Sequence, residues 1–123
     1  MKEGTKYDNG KVRLAEMILD FKDALFAVCR VWEFGADKYE KSNWKKVSNA
    51  KDRYTNAMLR HLCEEDTCSV DKESHLLHAA HVAWNALARL YFILKEEKCV
   101  EKEVFVDVRP GQTTTYTYGA REE

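Results

Sequence analysis

The stretch Ser74–Leu90, SHLLHAAHVAWNALARL, holds one formal charge, Arg89, yet carries His75, His78, His81 and Asn85. A solvated helix would be sprinkled with Lys and Glu, and an ordinary core helix would hold no imidazoles. At roughly 100° per residue, Leu76, Ala80, Ala83, Leu87, Leu90 and Leu94 form one face. Leu77, Trp84 and Tyr91 widen it on one side; Ala79, Val82, Ala86 and Ile93 continue it on the other. Ser74, His78, His81, Asn85 and Arg89 share the narrow remaining band, while His75 points elsewhere. A helix apolar nearly all round is normally buried, so the polar stripe is expected to face the interior. Two readings of the stripe are open. The histidines are neutral core residues hydrogen-bonded to neighbouring helices, or they line a cleft and bind a metal or orient a phosphate. Two imidazoles three residues apart, in register with Ser and Asn, favour the cleft.

The rest of the chain is organised to match. Its single proline, Pro110, lies near the end, so nothing earlier breaks a helix. From about Val12 to Ala36, apolar residues recur at spacings of three and four, which predicts one amphipathic helix; Gly35 either ends it or permits close packing before Tyr39. Residues 40–50 read as a loop. Ser48 or Asn49 is placed to cap a second helix from about Ala50 to Glu65, with Tyr54, Met58 and Leu62 on its inner face. Asp71 is placed as N-cap of the long helix, which should run to about Glu97. The tail alternates like strands, "EVFVDVRP" and "GQTTTYTYG". A lone hairpin is marginal, so the tail is expected to form a hairpin or an arm that pairs with a partner subunit, with a disordered tail as the alternative. The predicted fold is all-α: a small bundle of three to four helices with a C-terminal β-like arm or hairpin, dimeric or higher. Its boundaries are a flexible arm at 1–10, a helical domain at 11–98 and a C-terminal arm at 99–123.

Lys and Arg (20) nearly cancel Asp and Glu (21), so no global field draws the chain to a nucleic-acid polymer or an anionic membrane. The N-terminal stretch is polar, the longest uncharged run is too short for a bilayer, and four cysteines without a secretory leader imply reduced thiols. A cytoplasmic protein is expected. No Walker A, G-x-G-x-x-G or HD motif is present.

His61 and Glu65 lie one turn apart on the second helix, with Glu64 on an adjacent face and Asp71 leading into the long helix. Carboxylates and imidazoles from two packed helices form divalent-cation sites, although Glu64 and Glu65 also read as a solvated helix end. Cys63 and Cys68 lack a second pair, which argues against structural zinc. In "GADKYEKSNWKK", Lys38 and Lys45 are suited to phosphates, Trp44 to stacking on a base and Asn43 to a polar edge. Arg53 and Arg60 share one side of the second helix, and Lys11 and Arg13 precede the first. A solvated basic loop is the plainer reading of these cations.

The G-K-x-R-L start, the G-A-x-K-Y-x-x-x-N-W loop, the R-H-L element and the D-x-E-S-x-x-x-H-x-x-H-x-x-W-N helix occur in that order between Gly10 and Leu94. Together they resemble the phage and prophage dATP/dGTP diphosphohydrolases, grouped with the MazG-like all-α nucleoside triphosphate pyrophosphatases. The resemblance implies a helical, often dimeric enzyme that hydrolyses a deoxynucleoside triphosphate to monophosphate and pyrophosphate with Mg2+ (or Mn2+). It points to Lys11, Arg13, Lys38, Tyr39, Asn43, Trp44, Arg53, Arg60, His61, Asp71, Ser74, His78, His81 and Asn85. Two departures are visible: "CEEDTCSV" replaces the G-E before D-x-E-S, and His75 stands where that family has a glycine; compared with the acidic MazG motifs, His78-x-x-His81 lies where E-x-x-D would be. On this reading His61, His78 and His81 are the catalytic candidates. Lys11, Arg13, Lys38, Tyr39, Asn43, Trp44, Arg53, Arg60 and Asn85 bind a dATP- or dGTP-like nucleotide, and Glu64, Glu65 and Asp71 hold the metal. The alternative is a non-catalytic phage protein that sequesters a signalling nucleotide with the same pocket; a helical interaction module would explain the tail but not the histidines.

Overall fold

The computed structural model describes residues 3–96 throughout, and beyond them only the backbone of two strands. Four α-helices follow in order: α1 (Leu14–Asp20), α2 (Lys22–Lys38), α3 (Ala50–Glu65) and α4 (His78–Glu96), with a 3-10 turn at Asn43–Lys46. The fold class is the expected all-α small bundle. The strands β1 (Lys102–Arg109) and β2 (Gln112–Tyr118) pair antiparallel, Lys102 opposite Tyr118 and Arg109 opposite Gln112, with an irregularity between Glu103 and Phe105. The expected helix end at Glu97, the turn at Pro110 and Cys99 lie outside the described residues.

The helix predicted over Val12 to Ala36 is two helices. At Phe21 the backbone leaves helical geometry (φ −104°, ψ 20°), while Phe21 N–H still donates to Met17 O and Leu25 N–H to Phe21 O. The hydrogen-bond ladder thus passes around a one-residue break that neither Gly nor Pro marks. Gly35 does not end α2, whose last residue is Lys38. Ser42, with φ 68°, then turns the chain into the 3-10 segment. The second helix spans the predicted residues, following Asn49 in a left-handed conformation, although no side chain caps it. Of its expected inner face, Tyr54 and Met58 are half-buried, but Leu62 is 50% exposed and His61 is buried instead.

α4 begins at His78, later than Asp71 and Ser74 suggested. His75 takes a left-handed φ of 61°, Val70 and Leu77 form an isolated bridge, and His78 N–H donates to Ser69 O at 2.9 Å. Those bonds hold residues 70–77 as a closed loop and delay the helix. Asp71 caps the turn within that loop, accepting from Ser74 N–H at 2.8 Å, rather than capping α4. α4 is the hub of the bundle, with α3 packed along it and α2 beside it.

The polar stripe faces inward as predicted: His78, His81 and Asn85 are buried together with Ala80 and Ala88. The leucine face does not. Leu77, Leu87 and Leu90 are about half exposed, a correction to the expectation of a helix buried on all sides. Within one copy the apolar interior is Val31, Ala50, Ala80 and Ala88, supplemented by a half-buried cluster of rings. Trp44 meets Trp84, Tyr91 and Phe92 edge to face at 5.9, 4.9 and 6.1 Å, and Tyr54 stacks on Phe92. Tyr54 OH donates to Trp44 O, fixing the 3-10 turn against α3. Arg89, at the end of the stripe, donates to Thr55 Oγ1 at 2.8 Å and fastens α4 to α3.

Candidate functional site

Where α3 and α4 face each other, three imidazoles meet. His61 and His78 approach Nδ1 to Nδ1 at 2.9 Å, and His61 stacks on His81 with ring centres 4.3 Å apart and planes within 7°. The 70–77 loop completes the group. Asp71 Oδ2 accepts from both the amide and the hydroxyl of Ser74, each at 2.8 Å, and Ser74 Oγ lies 2.7 Å from His81 Nε2. With its own proton on Asp71, Ser74 Oγ accepts from Leu76 N–H and therefore from His81 Nε2–H. His81 is thereby fixed as the Nε2–H tautomer, and Nδ1 is its one ring atom able to take a proton. Asn85 Nδ2 donates to the His81 carbonyl at 2.8 Å.

The electrostatics follow from this burial. Desolvation lowers the proton affinity of His61, and the pull of Asp71 does not restore it; desolvation and then the neighbouring His61 lower that of His81. Both rings are held neutral near pH 7. Burial pushes the Asp71 carboxyl up, but the two Ser74 hydrogen bonds and the nearby His81 and His61 outweigh it, leaving it below the usual carboxylate range.

His61, Glu64, Asp71 and His78 each bring one potential ligand atom within 4.8 Å of the others. His61 and Glu64 are three residues apart on α3, hence on one face. Glu65, one residue further, lies outside this group and is exposed.

Beside the histidines opens a cavity of about 470 Å3, a size suited to a small-molecule ligand. Of the residues singled out in the sequence, Lys38, Tyr39, Asn43, Trp44, Arg53, Arg60, His61, His81 and Asn85 line it. Lys11 and Arg13 do not; they sit on the exposed N-terminal stretch, where Arg13 pairs with Glu16 at 3.1 Å. Lys45 lies over the Trp44 and Tyr91 rings rather than along the cavity. Trp44 forms part of a packed aromatic wall. Lys38 is ion-paired with Glu73, a lining residue that sequence reasoning passed over. Its position inside D-x-E-S was the available signal. Trp84 was missed because its place on the wheel assigned it to the apolar core.

No curated protein and no solved structure matches the chain. The family described as dATP/dGTP diphosphohydrolase, N-terminal, matches residues 1–102 of the 123, and the chain belongs to that family.

Proposed function

We propose that the protein is a divalent-cation-dependent pyrophosphohydrolase that cleaves a purine deoxynucleoside triphosphate to its monophosphate and pyrophosphate. One observation carries this reading. His61 belongs both to the cavity lining and to the four-residue group of nitrogen and carboxylate ligands, so phosphates in the cavity would lie against that group. Arg53 and Arg60, two turns apart on α3, line the same cavity. Their guanidinium forks suit phosphate oxygens.

The donor set fits a divalent cation, because the two imidazoles and two carboxylates converge. His61, Glu64, Asp71 and His78 would hold it. Bound there, it supplies positive charge against phosphate oxygens and makes water a stronger acid. The chain does the rest. Neutral His81, its Nε2–H committed to Ser74, offers Nδ1 as acceptor for the proton of the attacking water. Asp71 and Ser74 hold that ring in place. Lys38 reaches a phosphate by exchanging Glu73 for it. Tyr39 and Asn43 offer a ring and a polar edge to the base, against the wall that Trp44 forms. Among the described residues Cys29, Cys63 and Cys68 are exposed free thiols, and no described helix is long and apolar enough to cross a membrane.

The working unit in this reading is a homo-oligomer. An apolar groove between α2 and α4, lined by Leu25, Val28, Trp32, Trp84, Leu87 and Tyr91, adjoins the exposed leucines of α4. Among the described residues, four small or medium apolar side chains are buried, a thin interior for a bundle of this size. A second copy, presenting the same apolar surface, is the occupant that both observations support.

The test is a panel of deoxynucleoside and ribonucleoside triphosphates, with Mg2+ or Mn2+, assayed for pyrophosphate. Release from dATP or dGTP is expected, falling on the order of a hundredfold in His81→Ala. Folded protein that returns every nucleotide intact would overturn the reading.

A further inference from the structure

The four converging ligands differ in chemistry from an all-carboxylate site. Two are imidazoles, from α3 and the first turn of α4, and both rings are more than nine-tenths buried. Building only on the premise that a cation belongs beside the cavity, we propose that His61, Glu64, Asp71 and His78 form a site selective for a first-row transition cation of the Mn2+, Fe2+ or Co2+ kind over Mg2+.

Donor type is the first argument. Mg2+ takes oxygen ligands and gives up its water reluctantly, whereas imidazole nitrogen binds transition cations well. Half of this set is nitrogen. Spacing is the second. With metal–ligand distances of about 2.1 Å, neighbouring ligands of an octahedron lie about 3.0 Å apart, against about 3.4 Å in a tetrahedron. The two Nδ1 atoms are 2.9 Å apart, which suits an octahedron and weighs against tetrahedral zinc, while the other ligand atoms stand further off, His78 Nδ1 at 3.8 Å from Glu64 Oε2. Mg2+ shares the octahedral preference, so donor type is what sets it apart. Without a cation a single proton must lie between these nitrogens, one ring donating and the other accepting. Support around the ligands is the third. Asp71 is oriented by Ser74, and His61 is backed by the parallel ring of His81, itself tied to Ser74. Groups that orient ligands in this way are the second layer of built metal sites.

The experiment reads the metal directly on the full chain, with no nucleotide present. Protein stripped with EDTA is titrated with Mn2+ alone and followed by electron paramagnetic resonance, with pulsed detection of nitrogen coupling. The expected result is one tightly held Mn2+ showing imidazole-nitrogen modulation, displaced by Mg2+ only at a hundredfold or greater excess. His78→Ala should lose one of the two nitrogen couplings; because the modulation is read on the unaltered chain, a misfolded variant does not decide the matter. Mn2+ held without nitrogen coupling, displacement by Mg2+ at comparable concentration, or absence of binding would each overturn the proposal. Pyrophosphate release with Mg2+ and no nitrogen coupling would defeat the selectivity while leaving the hydrolase. Nitrogen-coupled Mn2+ in a protein that cleaves no nucleotide would do the reverse.

Discussion

Two stripes of side chains on opposite sides of α4 have opposite fates. His78, His81, Asn85 and Ala88 are buried, whereas Leu87, Leu90 and Leu94 are 52%, 47% and 37% exposed. Burying polar groups is costly unless each is hydrogen-bonded, and the buried stripe meets that condition. His78 pairs with His61, His81 with Ser74, and Asn85 with a backbone carbonyl. The leucine stripe meets no equivalent condition, since a fully buried leucine contributes about 1.5–3 kcal/mol that an exposed one does not. The difference teaches that, among the described residues, the polar side of α4 is satisfied within one copy while its apolar side stays open. Under the proposed function, chemistry belongs to the first and association to the second.

The strongest way to break this contrast is to charge the apolar stripe. Leu87→Glu with Leu90→Glu should raise the self-association constant of dissociation about a thousandfold, roughly 4 kcal/mol, in sedimentation equilibrium. The polar seam should be spared, so Mn2+ binding should survive in the monomer. An unaltered chain that is already monomeric at every concentration would remove the apolar half of the comparison. Trp44 sharpens it from another side. Its ring is packed edge to face by three others, so Trp44→Ala should cost about 3 kcal/mol of stability in chemical denaturation, with Trp44→Phe recovering most of it. Unchanged stability with a raised KM for nucleotide would return Trp44 to the base-stacking role its sequence context suggested.

Much of this was legible in the residues. The second helix was placed at its observed bounds because Ser48 and Asn49 mark a turn before a clean helical period, and the polar stripe on the long helix faces inward as its register required. Three things were not legible, for physical reasons. A helical wheel says which residues share a face, but it does not say which face a single copy buries. Glu64 and Glu65 differ by about 100° on α3, and choosing between them needs the position of Asp71 after a loop whose path depends on His75 adopting a left-handed φ. The break at Phe21 has no local signal, since its neighbours continue the hydrogen-bond ladder.

Ser74 tests whether the buried stripe is self-sufficient. Its hydroxyl donates to Asp71 and accepts from Leu76 N–H and His81, three contacts from one oxygen. Ser74→Ala leaves buried partners short of bonds and should cost about 2 kcal/mol in urea denaturation. Nitrogen NMR should show His81 losing its preference for the Nε2–H form. A variant as stable as the parent, with the tautomer unchanged, would mean that something else orients the ring.

The smallest effect is the most direct probe of how dry the seam is. Burial, ahead of the opposing pull from Asp71, depresses the proton affinity of His61, and burial followed by His61 depresses that of His81. Unfolded, each imidazole titrates near about 6.5. Between the depressed folded values and that point the unfolded chain binds more protons, so stability rises with pH. The contribution is complete above about pH 6.5 and is lost as pH falls toward the folded values, with a slope of at most about 1.4 kcal/mol per pH unit for each ring. Asp71 acts in a separate, more acidic window, its depressed carboxyl contributing above the ordinary carboxylate value and ceasing to do so as pH falls through its folded value. Urea denaturation in EDTA from pH 7.5 to 5 should therefore show stability declining below neutrality, with His81→Gln reducing the slope by about half. A flat profile would mean that water reaches these rings, and the contrast between the two sides of α4 would rest on the leucines alone.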